Sequence, residues 1–223
     1  MAEIVCRGLL FDLDGVLIDS TPAVTRVWSQ WAIDHGFDPA EVTRSAHGRP
    51  SIATIRNFLP QADAEAENDK VERKELNDLE GVVPLPGARE LLTALSAGSW
   101  NIVTSCTRAL AEVRLRAAGL PIPPTMVTAS DVTRGKPNPE PYLKGAASLA
   151  LRAAECLVLE DVPAGIHAGK AAGARVVACT TTCPAEELRR AGADWVVEDC
   201  RSITVSHAAR DRTLTLVLAD GAF

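Results

Sequence analysis

Two aspartates, Asp12 and Asp14, close the apolar run in the segment GLLFDLDG. Carboxylates at i and i+2 of a strand end can face one crevice, and Gly15 permits a sharp turn away. Such a pair can bind a divalent cation, attack as a nucleophile or move a proton, although simple helix capping also uses it. Ser105, in VTSCT, follows a second apolar run. Its hydroxyl and the N–H groups of a helix start could hold a phosphate. Lys136 lies in RGKPNP, a loop stiffened by prolines on both sides of Asn138. An ammonium held there could neutralise a carboxylate nucleophile and a bound phosphate. Glu160 and Asp161 follow a further run and repeat the arrangement of the first. Oxygen ligands from different strand ends suit Mg²⁺. Each group alone has an ordinary explanation as a cap or a solvated charge. Their common place, at the ends of successive strands, is where open parallel sheets bind ligands.

Short apolar runs at 8–11, 101–104, 125–128, 156–159 and 174–179 read as buried strands. They alternate with helical patterns at 88–97, 109–118, 139–149, 164–172 and 184–191. The fold class is therefore α/β, a Rossmann-like parallel sheet with helices on both faces. From residue 20 to 83 no strand pattern is evident, and helices are expected at 22–36, 52–59 and 62–79. Residues 20–83 read as an inserted α-helical cap, and residues 1–19 with 84–223 as the core. A hairpin of 203–207 with 214–218 is expected in the tail.

The 223 residues are 47% hydrophobic and carry a net charge of −6, enough for a sizeable core. This acidic balance gives no general reason to bind nucleic acid or an anionic membrane. No apolar run reaches the roughly 18 residues of a membrane span, and the start does not read as a signal peptide. Six cysteines without CxxC spacing suit reduced thiols in a cytoplasmic protein. Cys179 and Cys183 lack a second pair that would complete a zinc site. Nothing suggests an obligate partner, so a monomer is expected.

The four motifs FDLDGVLIDS, VTSCT, GKPNPEPY and LVLEDVPAGIHAGKAAG resemble, in order and spacing, the haloacid dehalogenase-like hydrolase superfamily. The resemblance runs from about residue 8 to 173. Within that superfamily the stretch from DSTPAV to RNFLP is similar to small sugar-phosphate and polyol-phosphate phosphatases. The resemblance implies a helical cap and a small phosphorylated metabolite as substrate. It makes Asp12 the nucleophile that forms an aspartyl-phosphate and Asp14 the acid and base. It implies that Ser105 and Lys136 hold the phosphoryl group. Asp12, Asp161 and the backbone carbonyl of Asp14 would bind Mg²⁺, with Glu160 reaching the metal directly or through water.

Several residues narrow the subclass. Dehalogenases of the superfamily lack an acid at position 14, and the cap lysine of phosphonoacetaldehyde hydrolases has no counterpart before Lys70. β-Phosphoglucomutases carry a cap histidine where this chain has Val24, which favours hydrolysis over a mutase, the runner-up. Receiver domains share the aspartate, hydroxyl and lysine but draw the acids from different strands. A silent phosphate-binding relative would not need every motif residue. In the loop AHGRPS, Arg49 is the expected contact to a substrate anion or hydroxyl, and His47 a support for the loop. Trp28 and Trp31 read as cap core, and His35, His167 and His207 as structural or exposed.

Overall fold

The structure, a computed structural model, describes residues 2–46, 49–208 and 213–219, with the backbone alone at 207 and 208. β1 (Ala2–Cys6) and β2 (Gly8–Phe11) open the chain. β3 (Ile18–Asp19) is followed by four helices, α1 (Thr21–His35), α2 (Pro39–Ala46), α3 (Ser51–Phe58) and α4 (Ala64–Asn77). β4 (Val83–Pro84) then pairs antiparallel with β3, Ile18 opposite Pro84 and Asp19 opposite Val83. Helices and strands alternate next: α5 (Ala88–Ala94), β5 (Trp100–Val103), α6 (Arg108–Ala117), β6 (Met126–Val127) and α7 (Glu140–Ser148). The series continues through β7 (Cys156–Glu160), α8 (Pro163–Ala171), β8 (Arg175–Cys179), α9 (Ala185–Arg190) and β9 (Trp195–Val197). β10 (Ile203–Ala208) and β11 (Leu214–Leu218) end it.

Six strands form one parallel sheet in the order β6-β5-β2-β7-β8-β9. Side chains alternate across each strand, so a strand buried on both faces must be apolar throughout. Leu9 and Phe11 of β2 join one hydrophobic cluster, with α5 and α6, while Leu10 joins the other, with α7, α8 and α9. β7 divides the same way, Leu157 and Leu159 against Cys156 and Val158.

The helices from α1 to α4 gather a third cluster, including Val27, Trp28, Trp31, Val42, Ile55 and Val71. Gly36 ends α1 in the left-handed region at φ 75°, and the N–H of Phe37 returns to the carbonyl of Ala32 at 2.9 Å. Asp63 caps α4, accepting from the N–H of Ala66 at 3.1 Å.

Among the elements outside the sequence reading, β3 and β4 pair over only two residues each. β9 is a sixth strand of only three residues. β1 alternates buried Ile4 and Cys6 with exposed Glu3 and Val5, and joins the expected tail hairpin in a sheet of order β1-β11-β10. α2 buries only Val42 and Ala46, too few apolar positions to register as a helical stripe.

Candidate active site

Parallel pairing of β2 with β7 sets Phe11 opposite Leu159, so the residues that follow both strands emerge side by side. Asp12, Glu160 and Asp161 are all buried, and each offers a carboxylate oxygen within 4.8 Å of the other two. Lys136 Nζ lies 2.8 Å from Asp12 Oδ1 and 2.6 Å from Glu160 Oε1. Its loop is fastened by Glu140, whose Oε1 accepts from the N–H of Thr133 at 3.0 Å. Glu140 Oε2 accepts from the Thr133 hydroxyl at 2.8 Å and the N–H of Arg134 at 3.0 Å. Glu160 is itself held by further hydrogen bonds. The Tyr142 hydroxyl donates to its Oε1 at 2.6 Å, and the N–H of Asp161 to its Oε2 at 3.1 Å. The ring of Tyr142 also sits 5.1 Å from the lysine nitrogen.

Three buried carboxylates face one ammonium, which leaves an excess of two negative charges where desolvation is costly. Burial pushes the Asp12 carboxyl up to about 7; Lys136 pulls it down and Glu160 adds to the rise. Burial and then Glu160 hold Asp161 well above the ordinary carboxylate range. Asp161 Oδ1 is buried without a hydrogen-bond partner among the described residues. An oxygen-only donor set with an orphan acceptor and excess negative charge is what a hard divalent cation relieves. The residues present fit such an ion. Two glycines keep the space open. A Cβ at Gly165 would overlap the Glu160 carboxylate, and one at Gly15, where φ is +83°, would overlap that of Asp161.

Asp14 has a different environment. Its side chain stands outside the trio; its place among the expected metal ligands rested on its backbone carbonyl. Oδ1 accepts from the Ser20 hydroxyl at 2.5 Å and from Arg114 at 3.0 Å, and Oδ2 from the Cys106 thiol at 3.0 Å. Burial raises its pKa, but Arg114, Ser20 and Cys106 outweigh burial and hold the carboxyl below its ordinary value. Arg114 is 3% exposed and also donates to Glu75 of α4 at 3.3 Å. Sequence reasoning missed Arg114, Glu75, Cys106 and Tyr142. A signal existed for Tyr142, which ends the GKPNPEPY motif as the single tyrosine of the chain. None marked Arg114 within an ordinary helical pattern.

A cavity lies between the sheet end and α1–α4. Ser105 lines it beside Asp12 and Asp14, and Arg49 joins from the loop before α3 as an exposed side chain. The structure therefore brings Asp12, Asp14 and Ser105 to one cavity with Arg49 on the wall, while Lys136 contacts Asp12 from outside the cavity lining. Val24 and Trp28 also line the cavity, while Trp31 packs in the helical cluster at 5.5 Å from Trp28. His35 has partners: Nδ1 lies 2.8 Å from the carbonyl of Trp31 and Nε2 3.5 Å from Glu67. His167 is exposed. His47 and the side chain of His207 lie outside the described residues.

Among the described residues no helix is long and apolar enough to cross a membrane. The chain is similar to hexitol phosphatase A of Escherichia coli, 45% identical over 206 residues that cover 90% of this chain and 94% of that protein. Glycerol-1-phosphate phosphohydrolase 2 of Saccharomyces cerevisiae is 36% identical over 211 residues, 89% of this chain and 84% of the relative. A solved hydrolase structure from Pseudomonas syringae superposes with a TM-score of 0.78 at 28% identity, covering 88% of this chain and 94% of that one. The family model for haloacid dehalogenase-like hydrolases matches residues 9–179. The chain belongs to the haloacid dehalogenase-like hydrolase family, whose members use a divalent metal.

Proposed function

We propose that the protein is a Mg²⁺-dependent phosphatase of small phosphorylated sugars or polyols, acting through an aspartyl-phosphate on Asp12. The observation that carries the reading is the buried trio Asp12, Glu160 and Asp161 around Lys136, with one Asp161 oxygen unpartnered. Relatives named for hexitol phosphate and glycerol-1-phosphate support the substrate class.

In this reading Asp12, held by Lys136, attacks phosphorus and splits one hard displacement into two easier ones. Asp14, two residues on and outside the trio, protonates the departing alkoxide and later takes a proton from the attacking water. Ser105 and Lys136 hold the transferring phosphoryl group, and Glu160 fixes Lys136. Asp12, Asp161 and the Asp14 carbonyl would hold Mg²⁺, which supplies neutralisation of phosphoryl oxygens. Residues 20–83 act as the cap, and Arg49 contacts the substrate from its loop. Val24 in the cavity wall supports hydrolysis over mutase chemistry, since no histidine is there to guide the acid. A cytoplasmic monomer completes the reading.

The test is hydrolysis of a generic phosphomonoester with and without Mg²⁺, coupled to acid quenching and peptide mass mapping. Phosphate on Asp12 and loss of turnover in Asp12→Asn are expected. Metal-independent turnover, or an active Asp12→Asn enzyme, would refute the reading. Isomerisation of a sugar bisphosphate would restore the mutase.

A further inference from the structure

The leaving-group side of the cavity has a composition that the phosphate chemistry does not require. α4 presents Asn68, Glu72 and Glu75 at i, i+4 and i+7, one face of a helix, and all three line the cavity. Asn68 Oδ1 accepts from the Ser51 hydroxyl at 2.5 Å, which leaves its amide hydrogens for another acceptor. Glu72 accepts from the Thr107 hydroxyl at the start of α6. Arg114 is already engaged by Asp14 and Glu75, so its charge is taken up by two carboxylates. Its Nε–H is buried without a partner among the described residues, although Arg114 lines the same cavity. The wall thus offers an amide and a half-buried carboxylate whose charge is not neutralised by Arg114. Hydroxyl groups match that set because each can both donate and accept. A second phosphate or a carboxylate does not, because it would face Glu72 at close range in a partly desolvated space.

We infer that Glu72 is a specificity-determining residue that selects uncharged polyhydroxylated leaving groups and rejects substrates carrying a second anionic group. The inference rests on the phosphatase reading of the same cavity and narrows it. Arg49 is the competing influence, since a guanidinium on the wall could attract a second anion. It is exposed and screened by solvent, whereas Glu72 is half-buried on the helix that closes the pocket.

The test compares sorbitol 6-phosphate with 6-phosphogluconate, which differs only in a carboxylate where the polyol has its terminal CH₂OH. The readout is the ratio of their kcat/KM values, which does not depend on the fraction of active enzyme. Wild type should prefer the polyol phosphate, and Glu72→Gln, which keeps an acceptor for Thr107, should reduce that preference by about tenfold. Glu72→Lys should invert it. An unchanged ratio in both variants overturns the inference. So does a wild-type preference for 6-phosphogluconate that Arg49→Gln abolishes. Absence of Mg²⁺-dependent turnover of either compound and of p-nitrophenyl phosphate is a different failure, because it removes the phosphatase reading itself.

Discussion

Replacing the nucleophile should make the metal-free protein more stable. Without a cation, Asp12 is held at about 7 against an ordinary 3.8, chiefly by burial, with Glu160 opposing the pull of Lys136. That difference is roughly three decades of proton affinity, each worth about 1.4 kcal/mol. Keeping Asp12 ionised therefore costs the metal-free fold about 4 kcal/mol once the pH exceeds both values. Asn has nearly the same shape and no charge, so Asp12→Asn should regain up to this amount in EDTA. For a chain of this size the gain is a rise in Tm of roughly 8–16 °C. The sign follows from proton binding: the folded carboxyl holds its proton more tightly than the unfolded one. The wild type thus loses stability as pH rises from about 4 to about 7, and the gap between the two proteins opens over the same interval. Saturating Mg²⁺ should reverse their order, because the cation binds folded wild type and Asn is a poorer ligand. Thermal melts of both proteins, in EDTA and in Mg²⁺ across that range, measure all of this. An Asp12→Asn protein less stable than wild type in EDTA at about pH 8, or a gap that does not close near pH 4, would refute the reasoning.

Three further outcomes follow from the same geometry. Tyr142→Phe removes a buried hydroxyl donated to the Glu160 carboxylate and should cost about 1.5–3 kcal/mol, read as a lower urea midpoint at unchanged m. Gly165→Ala drives a methyl into Glu160, so it should cost about 1–3 kcal/mol and cut kcat at saturating Mg²⁺, whereas Ala at exposed Gly192, strained at φ 96° but clear of other side chains, should cost stability and leave kcat intact. Chelation should abolish turnover, and Mg²⁺ should restore it far better than Ca²⁺, which prefers longer bonds and more oxygen ligands; equal rescue by both would count against the Mg²⁺ reading.

What could be read from the chain was what local sequence encodes. β2 and β7 stood out because a strand covered on both faces must be apolar throughout, and the acids that follow them stood out against that background. Lys136 was legible through its flanking prolines and glycine. β1 and β9 were not, being three to five residues long and either alternating or very short. Tertiary partners were harder still. Glu75 lies in a helix whose other residues are mostly solvated, so nothing local marks it as buried at 6% exposure.

The two aspartates illustrate why identical side chains two residues apart can be given different work. A DxD segment places both at one strand end, and residue type alone does not tell them apart. The fold separates them by what it brings from elsewhere. Asp12 meets Glu160 from the neighbouring strand and Lys136 from a loop, an excess of negative charge that only a proton or a metal can balance. Asp14 meets Arg114, one hundred residues later, together with Ser20 and Cys106, and is held ionised without any metal. Held ionised, Asp14 is in the state that takes a proton from the attacking water, whereas Asp12 needs a cation beside it to reach the ionised state that a nucleophile requires. Arg114 is therefore as much a part of that division as the aspartates. Its loss would leave Asp14 and Glu75 buried without their shared cation, and would draw Asp14 toward the upward shift that already marks Asp12.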